Sequence, residues 1–157
     1  MTGVLYSTPA DIIAQLLSDL GLGDLEDTLD ADPLTGWTIF SVSLPESPEN
    51  AILVTDTAGR QFLRDHVTGV KAEHYGIQVL VRGSTSPVNP YLRCKLIMQY
   101  FDTEVKRESV TLNDEDGVSR TYRVNAITRT STVIPAGNDG RRFFFAGNAL
   151  ASIELVA

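Results

Sequence analysis

The stretch from His74 to Glu108 constrains the fold more than any other part of the chain, because it predicts a strand, a short loop and a helix in succession. The strand alternates apolar residues with mixed ones, and its apolar set is Tyr75, Ile77, Val79 and Val81. Side chains two positions apart share a face of a strand, so this strand has one strongly apolar face. Asn89 suits the cap of the helix and Pro90 its first position, where a missing N–H removes no hydrogen bond.

The predicted helix carries two apolar stripes instead of one. At about 100° per residue, the first stripe consists of Cys94, Ile97, Met98, Phe101 and Val105. The opposite stripe consists of Leu92, Leu96 and Tyr100. A surface helix buries a single stripe. We therefore expect the first stripe to lie on the sheet, and the second to be covered by the N-terminal helix or by another subunit.

Length and composition predict one domain that spans residues 1–157, with 43% hydrophobic and 21% charged residues. No run approaches the roughly 20 apolar residues of a membrane-spanning helix, and the N-terminus lacks the pattern of a secretory signal. The single cysteine, Cys94, excludes an internal disulfide. The formal net charge of −7 predicts a surface that repels nucleic acid, because gripping phosphates requires clustered Lys and Arg.

A first helix is predicted over residues 8–20. Thr8 is a suitable N-cap, Pro9 suits the first helical position, and Gly21 suits a left-handed residue after the last turn. Its apolar residues form one band, so we expect the helix to lie on the sheet. The acidic, turn-rich residues 22–36 are interpreted as a solvated connection.

The remaining pattern predicts strands over residues 37–44, 51–55, 74–83, 109–112, 118–130 and 143–156. Residues 56–69 are expected to form a polar excursion, and residues 133–142 a long polar loop. Asp116 and Gly117 predict a hairpin turn, and Gly147 suggests a β-bulge. This order predicts an α+β fold in which two main helices pack on one face of a mixed, mostly antiparallel sheet.

Residues that could carry chemistry are scattered and do not form an active-site pattern. Cys94 is predicted to face the core, so it is a poor nucleophile for His74. His66 and His74 lack the spacing of metal ligands. The carboxylates of residues 114–116 are interpreted as a solvated hairpin turn. We expect no catalytic residue, metal or cofactor, and no enzyme activity.

Three features predict contact with a partner. Three consecutive phenylalanines at 143–145 cannot all face one core, because alternate side chains of a strand point to opposite faces. The second helix stripe also needs a cover, and the loop at 133–142 offers arginines that suit carboxylates on a neighbour. The residues expected at a subunit or tube interface are Leu92, Leu96, Tyr100, Asp139, Arg141, Arg142 and Phe144.

Residues 50–157 also contain an ordered series of short motifs. The series is Val81-Arg82-Gly83 before the second helix, then Arg129, the turn at 137–141 and Asn148 in the last strand. In this order and spacing, the chain resembles the tail terminator and minor capsid (tail completion) proteins of long-tailed bacteriophages. The PESPEN segment at 45–50 and the three phenylalanines have no counterpart in that pattern.

The resemblance implies a structural virion protein that forms a hexameric ring on the tail tube and ends its polymerisation. The implied partners are further copies of the chain, the tail tube protein and the head–tail connector or head-completion protein. Duplex DNA would only pass through the lumen, no membrane would be involved, and the protein would occupy the host cytoplasm during assembly and the virion afterwards. Two alternatives remain: another neck or head-completion protein, and a small-ligand-binding or hydrolytic domain with a dispersed site.

Overall fold

In the described part of the chain, a mixed sheet of eight strands and two helices form the fold. The computed structural model describes residues 5–25, 36–41, 43–46, 48–65, 69–84 and 88–156, without the side chains of residues 60–65 and 69–73. The elements are α1 (Pro9–Asp19), β1 (Asp24–Leu25), β2 (Thr38–Phe40), β3 (Ala51–Asp65), β4 (Gly69–Ser84), α2 (Val88–Thr103), β5 (Glu108–Asn113), β6 (Ser119–Arg129), β7 (Ile134–Asn138) and β8 (Arg142–Leu155).

The strand order is β1-β2-β3-β4-β8-β6-β5, and β7 pairs with β8 off this path. Strands β1, β2 and β3 are parallel, whereas all other pairs are antiparallel. Along one edge of β8, β6 pairs with residues 149–155 and β7 with residues 143–146. Strand β8 therefore has partners along both of its edges.

Both helices lie on the same face of the sheet. On β4, Ile77, Val79 and Val81 are fully buried, and α2 packs beside them. The backbone N–H of Ala10 in α1 donates to the carboxylate of Asp56, which lies on that same face of β3. This arrangement confirms the predicted α+β fold, with two helices on one face of a mixed, mostly antiparallel sheet.

The first helix forms as its capping residues predict. The side chain of Thr8 accepts a hydrogen bond from the backbone N–H of Asp11, and Pro9 is the first helical residue. Gly21 ends the helix with φ 76°, a conformation that glycine adopts without strain. The buried band of α1 joins the core below the sheet, and its members are Ala10, Ile12, Ile13, Ala14, Leu16 and Leu17.

The predicted polar excursion at 56–69 is wrong. Strands β3 and β4 continue as a ribbon far beyond the sheet, and their pairing shifts register between Thr57 and Arg60. At this bulge the backbones come so close that a Cβ on Gly59 would lie 2.2 Å from the carbonyl oxygen of His74. Polar composition suggested a loop, but pairing across the ribbon satisfies the backbone of these residues. Residues 66–68 lie outside the described part.

Other element boundaries also differ from the prediction. The strand expected over residues 37–44 is limited to Thr38–Phe40, and two residues of the expected acidic connection form β1. The loop expected at 133–142 contains β7, although all five β7 residues are exposed. Of the acidic connection at 22–36, residues 26–35 lie outside the described part.

Gly147 does not form the predicted bulge, because its pairing with β4 keeps register. Instead it makes room for α2: a Cβ on Gly147 would lie 2.6 Å from the sulfur of Met98. The glycine is therefore a packing requirement of the contact between helix and sheet.

Enlarging residue 147 tests this close contact. We expect Gly147→Val to lower the free energy of unfolding by about 1–3 kcal/mol, because Met98 must leave its rotamer or α2 must shift. Urea denaturation measures the effect. Gly147→Ala should have a smaller effect, since the thioether end of Met98 is flexible. Equal stability of the wild type, Gly147→Val and Gly147→Ala would show that the packing of α2 does not need the space at residue 147.

Candidate assembly interface

The face of the sheet opposite α1 and α2, here called the bare face, carries a continuous row of apolar side chains. Leu53 lies opposite Leu80, Leu80 opposite Ala146, and Ala146 opposite Ile134, across four neighbouring strands. Leu53 and Leu80 are half-buried, Ala146 is buried, and Ile134 is 43% exposed. No described helix lies over this apolar row, and Ile134 is its most exposed member.

A polar row runs beside the apolar row on the bare face. It contains Thr55, Gln78 and Asn148, and the Gln78 amide donates to the Asn148 side-chain oxygen at 3.2 Å. An apolar strip bordered by satisfied polar groups resembles the core and rim of a protein–protein interface. The bare face therefore places an apolar row beside a polar one.

The three consecutive phenylalanines divide between the two faces. Phe145 packs edge-on against Tyr91 of α2, with ring centroids 5.6 Å apart. Phe144 lies opposite Arg82 of β4, on the bare face, and is half-buried. The structure therefore places Phe144 beside the apolar row, whereas Phe145 belongs to the contact between helix and sheet.

The second apolar stripe of α2 divides along its length. Leu96 and Tyr100 are half-buried and pack against the core of the same chain. Leu92 remains 53% exposed. Beside it, the guanidinium of Arg93 lies 5.2 Å from the ring centroid of Trp37 and donates to the Leu22 carbonyl. Leu96 and Tyr100 are thus covered within the same chain, and Leu92 is the member of the stripe that stays exposed.

The β7–β8 hairpin brings Asp139 and Arg142 together but separates them from Arg141. Arg142 is 8% exposed, and its guanidinium pairs with Asp139 at 2.7 Å and with Glu46 at 3.1 Å. The hydrogen bond from Arg142 holds the pKa of the Asp139 carboxyl below its usual value. Arg141 is exposed at the hairpin tip. Of the two arginines, only Arg141 is positioned to reach a neighbour without breaking an internal contact.

Sequence reasoning missed the role of Arg82, which is 3% exposed and holds residues 45, 48 and 49 of the PESPEN segment. Its guanidinium donates to the carbonyls of Pro45 at 2.6 Å, Pro48 at 2.5 Å and Glu49 at 3.4 Å. Burial, and then repulsion from Arg142, lower its pKa. A buried arginine in an apolar strand needs hydrogen-bond acceptors. A proline-rich segment supplies them, because its carbonyls are not paired within a helix or sheet. An arginine in an apolar strand together with such a segment could have predicted this contact from the sequence.

Asp114 is buried, so the prediction of a wholly solvated turn at 114–116 is wrong for this residue. Its carboxylate accepts hydrogen bonds from Tyr122 at 2.9 Å, from Arg120 at 2.8 Å and from the hydroxyl of Ser7. The Tyr122 oxygen in turn accepts from the Tyr6 backbone N–H at 3.1 Å. We call these five residues the Asp114 cluster. It joins the approach to α1 to the β5–β6 hairpin.

The Asp114 cluster resembles a catalytic group only in its residue types. Burial opposes ionisation of Asp114, but hydrogen bonds from Arg120, Ser7 and Tyr122 outweigh it and hold its pKa below the usual 3.8. Burial, together with the neighbouring Asp114 carboxylate, raises the pKa of Tyr122. An ionised acceptor surrounded by its own donors stabilises structure.

Within the described residues, no group of three or more His, Cys, Asp or Glu side chains could hold a metal ion. Neither described helix is both long and apolar enough to cross a membrane. Cys94 is fully buried, and burial raises the pKa of its thiol to about 12. Comparison with protein-family models and with curated proteins found no match to this chain.

Titration of Asp114 gives a testable pH dependence. Because its pKa is lowered in the folded state, its ionised form stabilises the fold above pH 3.8, and this contribution is lost as the pH falls through the lowered value. We expect Asp114→Asn to lower the free energy of unfolding by about 2 kcal/mol near neutral pH. The difference from wild type should shrink in acid. Glu115→Gln, an exposed neighbour, is the control, and a pH-independent difference would contradict the assignment.

Thiol labelling tests the burial of Cys94. We expect the native thiol to react with an aromatic disulfide reagent only as fast as the protein opens, because the thiolate is the reactive form and burial suppresses it. An added cysteine at the exposed Thr128 should react rapidly and serves as the control. Rapid labelling of native Cys94 would show that the helix contact opens easily.

Proposed function

We propose that this chain is a tail terminator of a long-tailed bacteriophage, a structural protein that forms a hexameric ring on the end of the tail tube. The ring stops tube polymerisation and joins the tail to the head connector. The structural observation that supports this proposal is the apolar row on the bare face, which a partner would cover. The resemblance of the ordered motifs of residues 50–157 supports the choice of partner.

The bare face supports self-association. Removing the exposed part of its apolar row from water would be favourable, at roughly 25 cal/mol per Å² of apolar surface buried. The adjoining polar row can exchange water for hydrogen bonds to a neighbour. Phe144 and Ile134 lie on this face near the β7–β8 hairpin, whose tip carries the exposed Arg141. These features support a contact that uses the sheet and the hairpin together.

The acidic charge supports passage of DNA through the ring without binding. The net charge of −7 makes the average surface repel phosphates, and a low-affinity lumen lets a duplex slide. Under this proposal the protein works in the host cytoplasm during assembly and remains in the neck of the finished virion.

The decisive experiment mixes the purified protein with tail tubes and images the product by electron microscopy. The proposal predicts a ring on one end of each tube and a halt to further elongation. Tubes that stay uncapped and continue to grow would overturn it. Rings that bind portal-side complexes and ignore tubes would instead identify a head-completion protein.

Substitution of the apolar row tests the bare face as the interface. Ile134→Lys should leave the subunit folded, because this side chain is 43% exposed, yet prevent assembly on tubes by placing a charge in an apolar contact. Val156→Lys is the matched control, since Val156 is 47% exposed at the opposite end of β8. Circular dichroism checks folding and electron microscopy checks assembly. If the Ile134→Lys protein still caps tubes normally, the apolar row is not part of the interface.

A further inference from the structure

The first two turns of α2 present a group of exposed apolar side chains, here called the helix patch. Its members are Val88, Tyr91 and Leu92, which lie within five consecutive residues. The other exposed large hydrophobic side chains of the described part are single residues in separate segments: Tyr6, Val118, Ile134 and Val156. Single exposed apolar residues are ordinary on a protein surface, whereas a contiguous group of them is typical of an interaction site.

A cavity of about 290 Å³ adjoins the helix patch, and Leu92 belongs to both. Its wall combines an indole, two carboxamides, two leucines and one guanidinium, from Trp37, Asn50, Asn89, Leu92, Leu96 and Arg93. Pockets for drug-sized ligands run from about 300 Å³ upward, so this cavity suits one or two side chains of a protein segment.

The half-buried guanidinium of Arg93 is the charged group of this cavity. It lies over the Trp37 ring, 5.2 Å from the ring centroid, and its Nη1 donates to the Leu22 carbonyl at 3.3 Å. A guanidinium carries five N–H donors, and the remaining donors of Arg93 have no acceptor in the described part of the chain. The two contacts therefore orient the guanidinium and leave donors free for a carboxylate.

No carboxylate of the described part pairs with Arg93. Burial lowers the pKa of its guanidinium, and among the described groups only Tyr100 acts in the opposite direction. Glu49 lies one residue from the cavity wall, but its carboxylate acts on Arg82 instead of Arg93. The chain has no Asp or Glu at all from residue 74 to residue 101. In a protein of net charge −7, this end of α2 is therefore locally positive.

Lys95 extends the positive charge along α2. Its ammonium lies 5.8 Å from the ring centroid of Tyr91 in the helix patch, and it forms no ion pair with a described residue. The surface therefore combines Tyr and Arg side chains with exposed aliphatic groups. Tyr and Arg are the residue types that, with Trp, carry much of the binding energy of protein–protein interfaces.

We propose that the helix patch and the adjoining cavity form a docking site for a segment of a partner protein that carries an acidic side chain next to an aliphatic one. The acidic side chain pairs with Arg93 through its free N–H donors. The aliphatic side chain packs on Leu92 and removes it from water. The site lies on the helix side of the sheet, opposite the bare face, so the inference goes beyond the proposed function and does not depend on it.

Fluorescence of Trp37 gives a direct readout, because it is the only tryptophan of the chain and lines the cavity. The probe is the synthetic peptide acetyl-Ser-Glu-Leu-Ser-Glu-Leu-Ser-amide, which contains no aromatic residue. We expect a saturable change in Trp37 emission as the peptide is added. The same peptide with Gln in place of Glu should bind about tenfold more weakly, because a charge-assisted hydrogen bond is lost. Only the peptide changes in this comparison, so altered folding of the protein cannot explain the difference.

Two protein variants locate the contact. Arg93→Lys keeps a positive charge but lacks the planar fork of donors, so it should bind the Glu peptide about tenfold more weakly. Leu92→Ser should weaken binding of both peptides about threefold to tenfold, because the exposed leucine no longer packs on the aliphatic side chain. Val118→Ser is the matched control, since Val118 is an exposed apolar residue near the β5–β6 turn. Urea denaturation checks that each variant keeps its fold.

Four outcomes would overturn the inference. The first is no change in Trp37 emission up to millimolar peptide, and the second is equal binding of the Glu and Gln peptides. The third is self-association of the wild type that Leu92→Ser abolishes in sedimentation velocity, which would make a second copy of the chain the occupant. The fourth concerns the acidic residues 26–35, which lie outside the described part. Binding that appears only after their carboxylates are replaced by amides would show that this segment of the same chain fills the cavity.

Discussion

The close approach of α2 to β8 is the contact on which the rest of the fold depends. Strand β8 pairs with β4 along one edge and with β6 and β7 along the other, so it holds the sheet together. Its residues below the helix are small, namely Gly147, Ala149 and Ala151, and Met98 fills the space that Gly147 leaves. This packing commits one face of the sheet to the core. On the other face, Arg82 and Arg142 hold the segment around Pro45, and the apolar row lies beside them.

Two groups of buried charge fix the segments that the core alone does not hold. The Asp114 cluster ties the approach to α1 to the β5–β6 hairpin, while Arg82 and Arg142 hold the segment around Pro45 and the β7–β8 hairpin. Every buried side-chain nitrogen and oxygen in the described residues has a hydrogen-bond partner. Removing one member of such a group leaves the others unpaired, so these contacts specify a single arrangement of the loops.

The proposed assembly draws on one physical property of the bare face, its apolar row. Burial of the apolar row would supply non-directional affinity, because it removes hydrocarbon from water.

The sequence by itself determined the fold class, both helices, the helix face that joins the core and the β5–β6 hairpin, because periodicity and capping are local signals. The alternation of side chains along a strand also predicted that Phe144 points to the opposite face from Phe143 and Phe145. Only the tertiary structure decided that residues 56–65 form a ribbon, that Gly147 makes room for Met98, and that Asp114, Arg82 and Arg142 are buried. It alone brought Ser7 and Asp114, 107 positions apart in the chain, into contact. These features depend on contacts between residues that are far apart in the sequence. The local pattern of polar and apolar residues does not show which distant segment will cover a given residue.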